Sequence, residues 1–181
     1  TQSDTSTYPI NPYDTMTPEQ QARYSRQIKL PQVGETGQER LLQSRALIIG
    51  MGGLGSPVSM YLAAAGVGHL VLTDYDQVDA SNLQRQIVHT QANIGELKAT
   101  SARETLLQLN PEVSILALDY ELDGDELIAQ AEQADVLVDC TDNFPSRFEL
   151  NRVSLTTDTP LVSGAAIRWE GQVSTFIPKH L

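Results

Sequence analysis

RALIIGMGGLG, residues 45–55, is an apolar run that ends in glycine and passes straight into Gly50-Met51-Gly52-Gly53-Leu54-Gly55. Residues 45–50 suit a buried parallel strand, and the Ala- and Leu-rich stretch 54–65 suits a helix that tolerates Pro57 in its first turn. A G-x-G-x-x-G between a strand and a helix has a physical meaning that the bare motif lacks. One glycine makes the tight turn, the next lets the backbone approach phosphate, and the last lets helix and strand pack closely. The helix start adds oriented N–H groups and the positive end of its dipole. The next apolar run, HLVLT at 69–73, ends beside Asp74, 19 residues after Gly55, where an acid grips ribose hydroxyls. Strand, glycine turn, helix and acid together point to nucleotide binding.

Outward from this unit, strands and helices alternate. Helices are expected over 17–29, 35–43, 96–109, 125–134 and 145–156, and strands over 113–118, 135–140, 161–162 and 172–177. Thr17-Pro18-Glu19-Gln20 has the form of a capping box, and Asn110-Pro111 stops the helix before it. The alternation implies an α/β, Rossmann-like, mostly parallel sheet with helices on both faces. Residues 1–16 are polar and without period and read as a flexible N-terminal arm. Residues 17–181 read as one nucleotide-binding domain.

A chain of 181 residues is long enough to build a core without staples. Its net charge of −11 argues against nucleic acid and against an anionic membrane surface. No apolar run approaches a membrane span and the N-terminus has no signal pattern, so the expected location is the cytoplasm. The single cysteine, Cys140, allows neither an internal disulfide nor a zinc cluster, and it reads as core. The three histidines, His69, His89 and His180, have no ligand spacing. Ten acids and no Lys or Arg fall between Glu112 and Asp142, while the rest of the chain is nearly neutral; the run reads as a solvated surface.

Three features favour a triphosphate with metal over a dinucleotide. Arg85, in Ser81-Asn82-Leu83-Gln84-Arg85-Gln86, follows the ribose acid closely and suits bidentate contact with phosphate. Lys98 adds a point charge in the first turn of a helix on the same sheet edge. Thr141-Asp142-Asn143 follows strand 135–140 at the edge where open α/β sheets bind ligands, and Asp142 there can hold Mg2+. The alternative for Asp142 is to cap the helix that follows.

These segments, with Arg23-Tyr24-Ser25-Arg26-Gln27, Asn110-Pro111, Asp139-Cys140-Thr141-Asp142-Asn143, Ser163-Gly164-Ala165-Ala166 and Glu170-Gly171-Gln172, stand in an order that resembles the ThiF/MoeB/HesA family of E1-like adenylating enzymes. The resemblance covers about 23–178. It implies an E1-like adenylation fold. It also implies an ATP-dependent adenylyltransferase that activates the C-terminal glycine carboxylate of a ubiquitin-like sulfur carrier for thiamine or molybdopterin synthesis. Carried over residue by residue, Gly50, Gly52, Gly53 and Gly55 line the phosphates and adenosine. Asp74 takes the ribose hydroxyls with Asp76 beside it. Asn82, Arg85 and Lys98 hold the triphosphate, and Asp142 chelates Mg2+. Arg26 reaches into the partner's site across a homodimer. Relatives of this kind bring two CxxC pairs for Zn2+ and a carrier-docking part. This chain reaches Leu181 without those ligands, so the zinc and docking part is expected to be absent here. Two other readings stand beside the leading one: an NAD(P)-dependent oxidoreductase on the same fold, and a truncated, non-catalytic nucleotide-binding scaffold.

Overall fold

The computed structural model describes residues 16–178, so the expected N-terminal arm lies almost wholly outside the described residues. Six strands form one sheet: β1 (Arg45–Ile49), β2 (His69–Thr73), β3 (Ser114–Leu118), β4 (Val136–Asp139), β5 (Leu161–Ile167) and β6 (Glu170–Phe176), in the order β3-β2-β1-β4-β5-β6. The first five are parallel and β6 returns antiparallel to β5. The helices are α1 (Pro18–Arg23), α2 (Ser25–Ile28), α3 (Gly34–Gln43), α4 (Gly55–Ala65), α5 (Lys98–Leu109), α6 (Gly124–Glu132) and α7 (Phe144–Thr157).

The two-residue period of the strands sorts their side chains into two cores. Ala46, Ile48, Leu70, Leu72 and Val138 face one way and pack with Ala63 of α4 and Ala99, Ala102 and Leu106 of α5. Leu47, Val71, Leu137 and Leu161 face the other way and pack with Leu127 and Ala131 of α6 and Leu150 and Val153 of α7. Burying each such leucine, isoleucine or valine contributes about 1.5–3 kcal/mol, so a sheet covered on both faces is the stable arrangement of this pattern.

The expected helix over 17–29 is broken at Tyr24. Thr17 forms the foreseen capping box with Gln20, but the Tyr24 backbone leaves the helical region and its ring turns into the core. Asn110 explains the break: its Nδ2 donates to the Tyr24 hydroxyl and to the Ala63 carbonyl, each at 2.8 Å. β5 is longer than 161–162 because β6 pairs with it along its whole length. The acidic run is not a uniform solvent face. Asp119 accepts from the backbone and hydroxyl of Thr100, Asp135 accepts from Arg45 N–H, and Asp139 is buried. No described helix is long and apolar enough to cross a membrane.

Candidate functional site

The connection changes direction between β1 and β4, and crevices at the carboxyl ends of strands form at that point. Here the turn after β1 and the turn after β4 touch. Gly50 has φ +94°, and a Cβ on it would lie 2.9 Å from the Cys140 carbonyl. A Cβ on Gly55 would lie 1.8 Å from the Gly50 carbonyl, so these two glycines are demanded by the fold. Gly52 and Gly53 differ. A Cβ there would meet only Gln86 Nε2 at 3.7 Å and the Arg85 side chain at 3.6 Å, which is ordinary contact. The protein does not need glycine at either position, and their bare backbone is open to a ligand. No side chain caps α4; Ser56 N–H already donates to the Gly52 carbonyl and Pro57 has no N–H, so among the described residues it is the Gly55 N–H that remains available to an anion at this helix start.

Asp74, just past β2, braces this loop. Its Oδ2 accepts from Met51 N–H at 2.7 Å and its Oδ1 from Asp76 N–H at 2.9 Å. Each carboxylate oxygen keeps a lone pair for a hydroxyl.

The segment 76–98 closes on itself at its base. Val78 and Glu96, Gly95 and Val78, and Lys98 and Asp76 are joined by backbone hydrogen bonds of 2.8–2.9 Å. Inside it Asp79 caps a single 3-10 turn, Ala80–Asn82; Asn82 spends its carbonyl oxygen on Asp79 N–H and keeps its NH2 as a donor. Arg85 follows, exposed, with its aliphatic stem over Gly53 and Nη1 donating to the Ser81 carbonyl at 3.1 Å. At the far end Lys98 opens α5. Its stem is buried, and its Nζ lies 2.8 Å from Oδ2 of Asp76, whose side chain is 57% exposed. The ammonium is thus held at the mouth of the crevice.

On the other bank, Asn143 caps α7 by accepting from Ser146 N–H at 3.0 Å. That removes the capping alternative for Asp142, which stays exposed and without an ion pair among the described residues. Behind it stands a network that the sequence did not announce. Asp139, buried at the end of β4, accepts from Thr141 N–H, Thr141 Oγ1 and Ser163 Oγ at 3.0, 2.6 and 2.6 Å. Arg147 of α7 stands 3.6 Å from it and donates to the carbonyls of Thr141 and Gly164. The pair stiffens the turn that carries Asp142. The only available signal was an acid closing an otherwise apolar strand. Asp139→Ala strands three donors and leaves the Arg147 guanidinium without its counter-charge around a buried void, and is expected to cost about 3 kcal/mol in urea unfolding. A loss under about 1 kcal/mol would show the network to be dispensable.

Arg26 is not brought to this crevice. It is exposed on α2, which is tied to the C-terminal end of α4 through Gln27 Nε2, donating to Gln38 Oε1 at 2.7 Å and to the Ala65 carbonyl at 3.0 Å. The glycine loop lies at the other end of α4, roughly 16 Å away at 1.5 Å per residue. Cys140 is buried, and burial pushes its thiol up to about 12, so no thiolate forms near neutral pH. No group of three or more His, Cys, Asp or Glu among the described residues is arranged for a metal ion. The exposed carboxylate of Asp142 fits a divalent cation that arrives with phosphate oxygens, not a protein cage.

The crevice therefore combines an open glycine backbone, a carboxylate for hydroxyls, two cations and one free carboxylate. Known proteins are similar to this chain in sequence and fold. The chain is 49% identical over 154 residues to the molybdopterin-synthase adenylyltransferase of Escherichia coli, covering 85% of this chain and 62% of that protein. It is 46% identical over 156 residues to the sulfur carrier protein ThiS adenylyltransferase of Escherichia coli, covering 86% and 62%. With the SAMP-activating enzyme E1 of Haloferax volcanii it shares 47% over 156 residues, covering 86% and 58%. The chain thus spans less than two thirds of the length of these curated relatives. Among solved structures, PaaA superposes with a TM-score of 0.79 at 25% identity, covering 98% of this chain and 56% of that one. E. coli MccB superposes at 0.75 and 24%, covering 86% and 48%, and shows the fold alone. The profile of the ThiF family matches residues 24–181, and the chain belongs to that family.

Proposed function

We propose that this chain is the nucleotide-binding part of an ATP-dependent adenylyltransferase. It would activate the C-terminal glycine carboxylate of a ubiquitin-like sulfur carrier as an acyl-adenylate, with release of pyrophosphate, for thiamine or molybdopterin synthesis. The observation that carries this reading is the convergence of Gly52, Gly53, Asp74, Arg85, Lys98 and Asp142 on one crevice. The two Escherichia coli relatives are named for the two carriers' pathways and support both branches alike.

A carboxylate is already a nucleophile at neutral pH, so attack on the α-phosphate requires no general base. Catalysis rests on placing carboxylate and phosphate in line and on meeting charge that spreads onto the leaving pyrophosphate. The glycine backbone and the start of α4 receive the phosphates, Asp74 orients the ribose, Arg85 and Lys98 meet the developing charge, and Asn82 donates its NH2 to a phosphate oxygen. Asp142 would hold Mg2+, which supplies further neutralisation of the phosphates. Asp76 has a role the residue pattern alone did not suggest: it parks the Lys98 ammonium at the crevice mouth until phosphate replaces it. Arg26 serves the crevice of a second copy in a homodimer, since its own lies at the far end of α4. The reading makes residues 17–181 one adenylation domain acting in the cytoplasm.

Thermal denaturation tests the reading directly. Mg-ATP at about a hundred times its Kd is expected to raise Tm by about 7 °C, and NAD to leave it unchanged. Stabilisation by NAD alone would favour an oxidoreductase. Pyrophosphate exchange that depends on added carrier separates an enzyme from a scaffold; binding without exchange would favour the scaffold.

A further inference from the structure

Met51 lies inside the glycine loop, and both its backbone polar groups are bound from outside the loop. Its N–H donates to Asp74, and its carbonyl is 3.0 Å from Nε2 of His89, a side chain only 4% exposed. The other ring nitrogen, Nδ1, is 2.9 Å from Ser101 Oγ, which sits one turn after Lys98 on α5. A carbonyl only accepts, so Nε2 must carry the proton and Nδ1 must accept from the serine hydroxyl. Burial, with Lys98 nearby, lowers the pKa of the ring and keeps it neutral near pH 7.

The consequence follows from peptide geometry. The Met51 carbonyl and the Gly52 N–H belong to one planar trans unit and point in opposite directions. Drawing the carbonyl inward to His89 turns the Gly52 N–H outward, and that N–H has no partner among the described residues. With the carbonyl free, the unit could rotate and present an oxygen to the phosphates instead.

We propose that His89 is a positioning residue that fixes the direction of the Gly52 N–H and locks the glycine loop to the helix carrying Lys98. The proposal rests on the reading of this crevice as a nucleotide site, and it assigns His89 no contact with the nucleotide.

The test compares His89→Ala with His89→Gln, whose amide can donate to Met51 and accept from Ser101. In calorimetric titration with Mg-ATP, His89→Ala is expected to bind about tenfold more weakly, and His89→Gln to return within about threefold of the parent. In the ligand-free protein the Met51 amide should exchange with solvent about tenfold faster in His89→Ala and near the parent rate in His89→Gln. In the parent, nitrogen-15 NMR of the imidazole should show the Nε2–H tautomer at pH 7. Parent-like binding and exchange in a folded His89→Ala would overturn the proposal. So would a folded His89→Gln as weak as His89→Ala, or a parent ring protonated at Nδ1. If His89→Ala does not fold, His89→Gln and the tautomer still decide. A parent that ignores Mg-ATP would remove the nucleotide reading, while amide exchange would still judge the lock.

Discussion

Arg85→Ala is expected to slow carrier-dependent ATP–pyrophosphate exchange about 10²–10³-fold while leaving the fold intact. Among the described residues the guanidinium makes one hydrogen bond, to a backbone carbonyl in its own turn, and the side chain is exposed. Removing it should change unfolding free energy by no more than about 0.5 kcal/mol. What is lost is a delocalised cation held over the backbone of Gly53, where charge would build under the proposed function. Asp142→Ala should give a similar loss for the opposite electrostatic reason, since it removes an exposed carboxylate that has no ion pair among the described residues and is available to a divalent cation. Raising Mg2+ should partly rescue Asp142→Ala and should not rescue Arg85→Ala. Near-normal exchange in either variant would remove that residue from the catalytic set.

The second large effect is on folding. Gly55→Ala places a methyl group 1.8 Å from the Gly50 carbonyl and 2.8 Å from its carbon, both backbone atoms of the strand-to-helix turn. Gly50 has little room to retreat, since a Cβ added there would itself lie 2.9 Å from the Cys140 carbonyl. The substitution is expected to cost about 4 kcal/mol or more in urea unfolding, a large share of the roughly 5–15 kcal/mol that holds a domain folded. Gly53→Ala, two residues earlier, meets only a movable arginine stem and should fold normally while losing nucleotide affinity. A stable Gly55→Ala or an unfolded Gly53→Ala would show that the roles of the loop glycines have been misread.

The contrast explains which parts of the molecule were legible in the amino-acid order. The strands over 45–73 and the glycine turn were readable because their causes are local: an apolar run, a glycine where a side chain cannot fit, an acid at the end of the next strand. The family motifs located Asp74, Arg85, Lys98 and Asp142, and the fold brings these to one edge. Tyr24 breaks a helix that local pattern would continue, because Asn110, 86 residues later, captures its hydroxyl. Asp139 and Arg147 are an ion pair whose partners include Ser163 and Gly164 on the next strand. His89 meets a carbonyl 38 residues before it. No short-range period encodes such meetings. The distance of Arg26 from its own crevice was equally invisible, since it depends on which end of α4 holds α2.

The strand order has a consequence for how the molecule comes into being. β1 pairs with β2 on one side and with β4 on the other, and Arg45 N–H reaches Asp135 across 90 positions of chain. Closing so long a loop costs entropy before any pairing rewards it, so the β1–β4 seam is expected to form late. The crevice opens on that seam. A newly made chain is therefore expected to offer no complete crevice until both halves of the sheet have met, and a nucleotide bound as proposed would trap only molecules whose sheet is already closed.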